Sequence, residues 1–527
     1  MKPIRLMSGF LTVGVWTLLS RVLGFVRDIL IAGWLGTGPV AEAFLVAFSL
    51  PNMFRRFFAE GAFNTAFIPL FSKKLEAGKD AETFANDAFA ALGSLLIVFT
   101  VLAQVFMPWL VLAMASGFAG DERFDLAVLF GRIAFPYILF ISLAALLSGV
   151  LNATGRFAAA AAAPVLLNII LISALLLAES GILDAHSSAE ASMRPGMHHG
   201  MFLVWGVVVA GVAQLALLWV AAGRAGFRIR LQRPRLTPDL KRLAIIALPA
   251  MLAGGVVQIN LLVGRQVASF YDGAIAWLSY ADRLYQLPLG VVGIAVGVVL
   301  LPDLSRRLAA KDDDGARAAL SRAGEVSLAL TIPSAVALVV IPYPLISVLF
   351  QRGAFDTADA TATALAVAVY GLGLPAFVLQ KVLQPLYFAR EDTRTPFRYA
   401  VVSMIVNVLV AVSMAYLLGY IGAAIGTTVA AWAMVLQLAL GTRSMGDVAR
   451  FDDRFRRRIW RICAASVVMG LMLALCSMIL SSALHMAGWR YLALAGVIGV
   501  GILTYFGVGH LIGAFRLAEF RSSLRRG

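Results

Sequence analysis

The sequence predicts an all-α polytopic membrane protein with fourteen transmembrane helices, arranged as two parallel six-helix repeats followed by two C-terminal helices. The composition is the first reason, because 61% of the 527 residues are hydrophobic and only 14% are charged. Soluble domains average about 45–50% apolar and about 25% charged residues. The second reason is a series of apolar runs long enough to span a bilayer, and the third is an internal repeat.

Most of the predicted spans are charge-free windows, since about 20 apolar residues are needed to cross the hydrocarbon core. These windows are 88–120, 133–155, 157–178, 195–223, 243–264, 284–302, 326–351, 360–380, 399–442, 462–489 and 491–515. The window 399–442 is long enough for two helices, with a turn at residues 419–422. Two further stretches, about 6–36 and 39–71, have the right length but carry charged residues, which brings the predicted total to fourteen.

The basic residues that give the chain its net charge of +15 are distributed unevenly between the loops. Of the 44 Lys and Arg residues, 32 fall in the two tails and in alternate loops, and eight fall within spans. The opposite loops hold only Arg123, Arg194, Arg352 and Arg490. Because cytoplasmic loops accumulate Lys and Arg, we expect both termini in the cytoplasm and no nucleic-acid partner.

An internal repeat predicts the domain organisation. Residues 68–80 (IPLFSKKLEAGKD) and 301–313 (LPDLSRRLAAKDD) both close an apolar span with Pro, Ser, two bases and Leu. Three proline pairs keep offsets of 233, 234 and 239 residues: Pro69 and Pro302, Pro108 and Pro342, and Pro136 and Pro375. We therefore predict an N-lobe of helices 1–6 (1–223), a C-lobe of helices 7–12 (224–446), and helices 13–14 with a cytoplasmic tail (447–527).

Charged residues within the predicted spans are the candidates for function, because each costs at least about 2.5–3.5 kcal/mol at the bilayer centre. The basic ones are Arg21, Arg27, Arg55, Arg56, Arg132, Arg265, Arg283 and Lys381, and the acidic ones are Asp28, Glu42, Glu60 and Asp282. Most of these side chains must line water or pair inside the bundle.

Pairing and snorkelling account for some of these charges. Arg56 and Glu60 are four residues apart and could neutralise each other. Arg27 and Asp28 are adjacent and do not share a helix face, whereas Arg21 and Asp28, two turns apart, do. Three further basic residues lie near span ends and could snorkel: Arg132, Arg265 and Lys381.

Arg21, Arg55 and Arg283 are harder to explain as structural charges. They lie in the first, second and eighth predicted spans, so both halves contribute, and there are too few carboxylates to match them. This surplus implies an anion between the halves. The planar fork of arginine binds phosphate oxygens in pairs, which suits a pyrophosphate headgroup.

Four motifs give the sequence a family resemblance: SRVLGFVRD (20–28), AFLVAFSLPNMFRRFFAEG (43–61), FPYIL (135–139) and YADRL (280–284). They resemble the MurJ (MviN) family of bacterial lipid II flippases, in the multidrug/oligosaccharidyl-lipid/polysaccharide exporter superfamily. The resemblance implies two six-helix lobes around a V-shaped cavity. It also implies an inner-membrane location and a groove for the lipid tail, formed by the last two helices.

The same motifs suggest site residues. The resemblance assigns substrate binding to Arg21, Arg27, Arg55 and Arg283, and cavity or gate roles to the carboxylates Asp28, Glu42, Glu60 and Asp282, where Glu42 replaces the family's usual Asp. Polar residues that bind sodium in some members correspond here only to Asn260 and Asn407. We therefore expect no cofactor or metal, and a transport cycle driven by the membrane potential or an ion gradient.

The expected function is to flip lipid II, a lipid-linked peptidoglycan precursor, from the cytoplasmic to the periplasmic leaflet by alternating access. Membrane lipids and the cell-wall synthesis machinery are the other expected partners. The alternatives are a flippase for another polyprenyl-linked saccharide, or a drug/ion antiporter, which a basic cavity suits poorly. A membrane enzyme acting on polyprenyl phosphates is a further alternative. Its candidate clusters are a histidine-containing loop at 179–200 and the triplet Asp312, Asp313 and Asp314, for which an exported loop and a solvated turn are the simpler explanations.

Overall fold

In the computed structural model of the protein, residues 6–56, 62–78, 80–181, 195–230, 232–295 and 300–514 are described. Over these residues the chain is built from α-helices and short 3-10 turns, and its only β-type pairing is an isolated bridge between Arg352 and Phe355. The predicted all-α class is confirmed for this part of the chain.

The chain forms two compact units. Unit 1 comprises Met1–Ala276 and Arg352–Phe355, and unit 2 comprises Trp277–Gln351 and Asp356–Gly527. The helices that lie in unit 1 are α1 (Leu6–Leu35), α2 (Pro39–Arg55), α3 (Ala62–Glu76), α4 (Ala81–Val105), α5 (Met107–Met114), α6 (Glu122–Ala134), α7 (Tyr137–Ala153), α8 (Phe157–Ser180), α9 (Met197–Arg224) and α10 (Pro238–Ala268).

The helix α11 (Ala274–Ala295) begins in the last residues of unit 1 and continues in unit 2. The helices that follow it are α12 (Leu301–Ala309), α13 (Asp313–Val340), α14 (Pro342–Phe350), α15 (Thr357–Phe388), α16 (Arg394–Leu418), α17 (Ile421–Gly441), α18 (Asp453–Ile479), α19 (Ser481–His485) and α20 (Arg490–Leu511).

Ten of the predicted spans have counterparts among the described helices. Nine helices are long and apolar enough to cross a membrane, namely α4, α8, α9, α13, α15, α16, α17, α18 and α20. A tenth span results if α6 and α7, which meet at an angle of 41°, are taken as one bent helix. The predicted turn at 419–422 is confirmed, because α16 ends at Leu418 and Gly419 adopts the left-handed φ of 72° that favours glycine.

The other four predicted spans correspond to α1, α2 with α3, α10 and α11. These helices border residues outside the described part or, in α10, include side chains that are not described. The total of fourteen therefore stays a prediction. The predicted lobes are defined by sequence repetition, whereas the two units are defined by packing. Unit 1 includes α10, and Asp239 in the first turn of α10 pairs with Lys74 of α3 at 2.8 Å.

One of the three repeated proline pairs occupies equivalent places. Pro108 and Pro342 each open a short helix, α5 or α14, directly after a long apolar helix. The other two pairs differ. Pro69 lies inside α3, whereas Pro302 lies in the first turn of α12. Pro136 lies at the bend between α6 and α7, whereas Pro375 lies inside the continuous helix α15. The repeat itself remains a prediction.

Close packing in unit 1 depends on small residues that let helices approach. A Cβ at Gly211 of α9 would meet the ring of Tyr137 of α7 at 2.7 Å, so only glycine fits there. The Tyr137 hydroxyl donates to Gln214 at 3.1 Å, and the Gln214 amide donates to the Ala163 carbonyl of α8 at 2.7 Å. Apolar attraction between helices is weak in lipid, so such contacts carry the association.

Unit 2 attaches its last helices to α13 by polar and ionic contacts. The Tyr505 hydroxyl of α20 donates to the Ala329 carbonyl at 2.5 Å. Arg458 of α18 forms an ion pair with Glu325 of α13, and both side chains are about nine-tenths buried. Arg454, one turn before Arg458, lies 3.6 Å from the same carboxylate. These contacts fix the start of α18, where the chain enters its last apolar hairpin.

The buried pair predicts a stability effect. The substitution Glu325→Ala leaves Arg458 buried without its carboxylate, a change that costs about 3–5 kcal/mol for buried pairs. We expect the melting temperature of the purified protein in detergent to fall by several degrees. Asp447→Ala, which removes the carboxylate of the exposed pair with Arg450, is the matched control and should change it little. Equal melting temperatures for the two variants would contradict this account.

Candidate functional site

The charged motif of α1 folds into a buried ion pair. Arg27 and Asp28 are 5% and 6% exposed, and the Arg27 guanidinium donates from Nε and Nη2 to Oδ1 of Asp28 at 3.0 and 2.6 Å. Helix-face periodicity did not predict this pair. It concerns the directions of the Cβ atoms, whereas the long arginine side chain curls back to its neighbour.

Asn168 of α8 completes this ion pair. Its Oδ1 accepts from Nη1 of Arg27 at 3.0 Å, and its amide nitrogen donates to the Ser20 carbonyl at 3.0 Å. The Arg27 guanidinium also lies 5.9 Å from the ring centroid of Phe48 in α2. Arg27 therefore uses three donor atoms on the protein itself and joins α1 to α8.

The other sequence-predicted arginines lie in helices of both units. Arg21 lies in α1 and Arg55 is the last residue of α2, and both are half-buried within unit 1. Arg283 is half-buried in α11, within unit 2. Glu60 falls outside the described residues, so its predicted pairing with Arg56 is not described.

Glu42 is the most buried of the candidate carboxylates, at 1% exposed. Its Oε2 accepts from Nη1 of Arg123 at 3.0 Å, and its Oε1 accepts from the backbone N–H of Ile275 at 2.9 Å. Ile275 is the second residue of α11, so Glu42 caps the N-terminus of that helix from α2. A carboxylate at this position satisfies an otherwise unpaired N–H and interacts favourably with the helix dipole.

Arg123 was predicted to be a loop residue and is instead a buried ionic centre. It is 5% exposed, and its guanidinium contacts Glu42, Asp121 and Asp272, the last at 2.9 Å. It also lies 4.6 Å from the ring centroid of Phe118. This arrangement fixes the start of α6 to the start of α2 within unit 1.

In unit 2, Asp282 lies in a polar and aromatic stretch of α11. The side-chain amide of Gln286, one turn further on, donates to the Asp282 carboxylate. Between them Tyr285 stacks on Phe377 at 5.2 Å and contacts Tyr370 at 5.1 Å. The helix that carries Asp282 and Arg283 is thereby packed against α15.

Of the two candidate ion ligands, Asn407 has a described side chain and Asn260 does not. Asn407 of α16 is 1% exposed and lies where a Cβ on Gly426 of α17 would meet its Oδ1 at 2.8 Å, which places it at a tight helix contact. The side chain of Asn260 lies outside the described part. No group of three or more His, Cys, Asp and Glu side chains among the described residues is arranged to hold a metal ion.

Sequence reasoning missed Asn168 and Arg123. Asn168 was visible as an amide in the otherwise apolar window 157–178, where an unsatisfied polar group is costly. Arg123 gave no comparable indication, because its main partner Glu42 lies 81 residues away.

The contact between Arg27 and Asn168 predicts an energetic coupling. Arg27→Lys keeps the charge but cannot donate to both partners, and Asn168→Ala removes the acceptor, so each should destabilise the protein by about 1–3 kcal/mol. We expect the double variant to be less destabilised than the sum, with a coupling of about 0.5–3 kcal/mol in a double-mutant cycle of unfolding. Strict additivity would show that this contact does not stabilise the protein.

Comparison with protein families shows what the chain is similar to. The family model described as "Lipid II flippase MurJ" matches residues 31–498. A probable lipid II flippase MurJ of Rhizobium meliloti is 45% identical over 99% of this chain and 97% of its own length. A lipid II flippase MurJ of Burkholderia cenocepacia is 36% identical over 89% of this chain and 90% of its own.

Solved structures agree with this similarity. A lipid II flippase MurJ in an inward closed conformation superposes with a TM-score of 0.77 at 25% identity, covering 95% of this chain and 98% of that one. An inward-facing MATE multidrug transporter shares the fold, with a TM-score of 0.65 at 14% identity over 81% of this chain and 95% of that one. The apolar helices and this family indicate a multi-pass membrane protein. The resemblance of the four sequence motifs is thus confirmed, and the chain belongs to the MurJ family.

Proposed function

We propose that the protein flips lipid II from the cytoplasmic to the periplasmic leaflet of the bacterial inner membrane by alternating access. The observation that carries this proposal is family membership over nearly the whole chain, with relatives named as lipid II flippases. A flippase moves a lipid without changing its covalent structure, so the protein is a transporter and not an enzyme. Peptidoglycan synthesis depends on such a step, because the precursor must reach the outer leaflet.

Arg21, Arg55 and Arg283 are assigned to the pyrophosphate of the substrate. All three residues are half-buried, so none of them is either fully solvated or sealed in the core. Arg27 is 5% exposed, and Asp28 and Asn168 take up three of its donor atoms. We therefore give Arg27 a positioning role in the binding site, holding α1 against α8.

The proposed architecture has fourteen spans, with two six-helix lobes around a V-shaped cavity and both termini in the cytoplasm. The ten spans supported by described helices and the distribution of Lys and Arg favour it. Asp28, Glu42, Glu60 and Asp282 are assigned to the cavity and its gates. The cap that Glu42 forms on α11 supports a gate role, because any rotation of α11 has to carry or break that hydrogen bond.

The transport cycle needs an energy source, since binding alone can shift a conformational equilibrium only by the difference in affinity between two states. We propose the membrane potential or an ion gradient for this role. A sodium site at Asn260 and Asn407 is the less favoured version, because the tight packing of Asn407 against Gly426 supports a structural role. The cell-wall synthesis machinery is the proposed protein partner.

Substituting the headgroup arginines tests the assignment. Arg21→Ala, Arg55→Ala and Arg283→Ala each remove charge-assisted hydrogen bonds, so lipid II binding should weaken by about 10- to 100-fold. We expect none of the three to restore growth in cells depleted of the wild-type protein. The corresponding Lys variants keep the charge but lose the planar fork, and should restore growth only in part.

Arg306→Ala is the matched control, because Arg306 is an 80%-exposed arginine in α12 that pairs with Asp303 at 3.3 Å. It should support normal growth. If all three alanine variants at 21, 55 and 283 sustain normal cell-wall synthesis, the headgroup assignment is wrong.

Depletion separates the candidate substrates. When the wild-type protein is removed, lipid II should accumulate in the cytoplasmic leaflet. Accumulation of a different polyprenyl-linked saccharide would favour the alternative flippase, and a covalently altered lipid produced by the purified protein would favour an enzyme.

A further inference from the structure

The described residues between α9 and α10 form a non-helical strap within unit 1. This linker strap, residues 225–237, is described except for residue 231. It begins where the membrane-spanning helix α9 ends at Arg224, and it ends at Thr237, which caps α10 by accepting from the Leu240 N–H at 3.3 Å. Its position along the chain therefore places it at the membrane surface.

Two buried side chains of α4 clamp the linker strap. Asn86, 6% exposed, accepts from the Arg230 N–H at 2.6 Å and donates to the Arg228 carbonyl at 3.3 Å. The neighbouring Asp87, also 6% exposed, accepts from the side-chain amide of Gln232 at 2.7 Å. Asn86 thus binds the strap backbone as a neighbouring β-strand would.

The clamp also sets the depth of the linker strap. Asn86 and Asp87 lie in the second turn of α4, which is itself long and apolar enough to span the membrane. The strap is therefore held beside the first turns of a span, at the level of the lipid headgroups.

Exposed and buried residues alternate along the clamped part of the strap, which gives it an outward and an inward face. Ile229 is 7% exposed and points into unit 1, whereas Arg228 and Arg230 on either side of it are exposed. This is the period-two pattern of extended chain, so both arginines share the outward face. Further along, Arg233 and Arg235 are exposed as well.

The strap arginines lack the carboxylate partner that some other exposed arginines have. Arg307 pairs with Asp303 at 2.8 Å and Arg450 pairs with Asp447 at 3.0 Å. By contrast, residues 224–238 include no acidic residue. Within the described part of the chain, none of the four strap guanidinium groups forms an ion pair.

An exposed leucine favours lipid over the other classes of anionic partner. Leu236 is 99% exposed, directly after Arg235. An apolar side chain that the protein leaves wholly uncovered, among cationic ones at the membrane surface, suits the boundary between headgroups and acyl chains. A protein or nucleic-acid partner would use the charge but would leave the position of Leu236 at that boundary unexplained.

We propose that the linker strap is a binding site for anionic phospholipid headgroups, held by Asn86 and Asp87 so that its four arginines face the lipid phosphates and Leu236 enters the interface. Juxtamembrane basic clusters attract anionic lipid in proportion to their charge. The site is separate from the residues assigned to substrate, and it does not depend on which lipid the protein transports.

Native mass spectrometry of the purified full-length protein, titrated with phosphatidylglycerol, tests the proposal. The variant R228Q/R230Q/R233Q/R235Q should weaken the tightest phosphatidylglycerol binding at least about tenfold, since each basic residue contributes to the attraction. The charge-preserving quadruple lysine variant should retain most of the binding. Phosphatidylcholine should not compete, and neither should inorganic phosphate.

The matched control removes four basic charges that have carboxylate partners: R306Q/R307Q/R322Q/R450Q. It has the same net charge as the strap variant and should bind phosphatidylglycerol as the wild type does. Unchanged binding in the strap variant, an equal loss in the control, or full displacement by inorganic phosphate would each overturn the proposal.

Asn86→Ala tests the clamp separately from the charge. It keeps all four arginines but releases the strap, so phosphatidylglycerol binding should fall, whereas Asn168→Ala, which removes an equally buried amide away from the strap, should leave that binding unchanged. An environment-sensitive dye on Leu236→Cys, with Cys463 and Cys476 replaced by serine, gives a second readout. Its emission should shift to the blue in vesicles that contain phosphatidylglycerol, relative to phosphatidylcholine alone, and an unchanged spectrum would argue against insertion.

Discussion

Charge buried among apolar helices requires a partner within reach, and this requirement organises both units of the protein. In unit 1, Glu42 and Arg123 bring together the starts of α2 and α6. In unit 2, Glu325 and Arg458 attach α18 to α13. Because lipid provides little hydrophobic attraction between helices, these few ionic contacts and the close approaches at glycines determine which helices are neighbours.

The helices could largely be predicted from the sequence, and the bends could not. Hydrophobicity over about 20 residues is a local property, so ten predicted spans have described counterparts, including the hairpin divided at Gly419. The angle between α6 and α7 was not predicted, because a proline between two apolar runs is compatible with a bend or with a continuous helix. Pro136 lies at a 41° bend, and Pro375 lies within a single long helix.

In the candidate site, the residues that need an explanation could be predicted from the sequence, but their partners could not. The cost of charge in a membrane identified Arg27, Asp28 and Glu42 as residues that need an explanation. Their partners depend on folding, which brings Asn168 to Arg27 across 141 residues of chain. Arg123 was misplaced in a loop for this reason, since nothing near it in the sequence indicates that Glu42 will bury it.

The hydrogen bonds of Asn86 have a consequence for how this protein can diverge. They are made to the backbone N–H and carbonyl of the segment that crosses α4, so the attachment is indifferent to the side chains that the segment carries. Substitutions can therefore alter the charge of this surface without loosening the fold. Such a surface can adapt to bacteria whose membranes differ in lipid composition, while the helices that it connects remain unchanged.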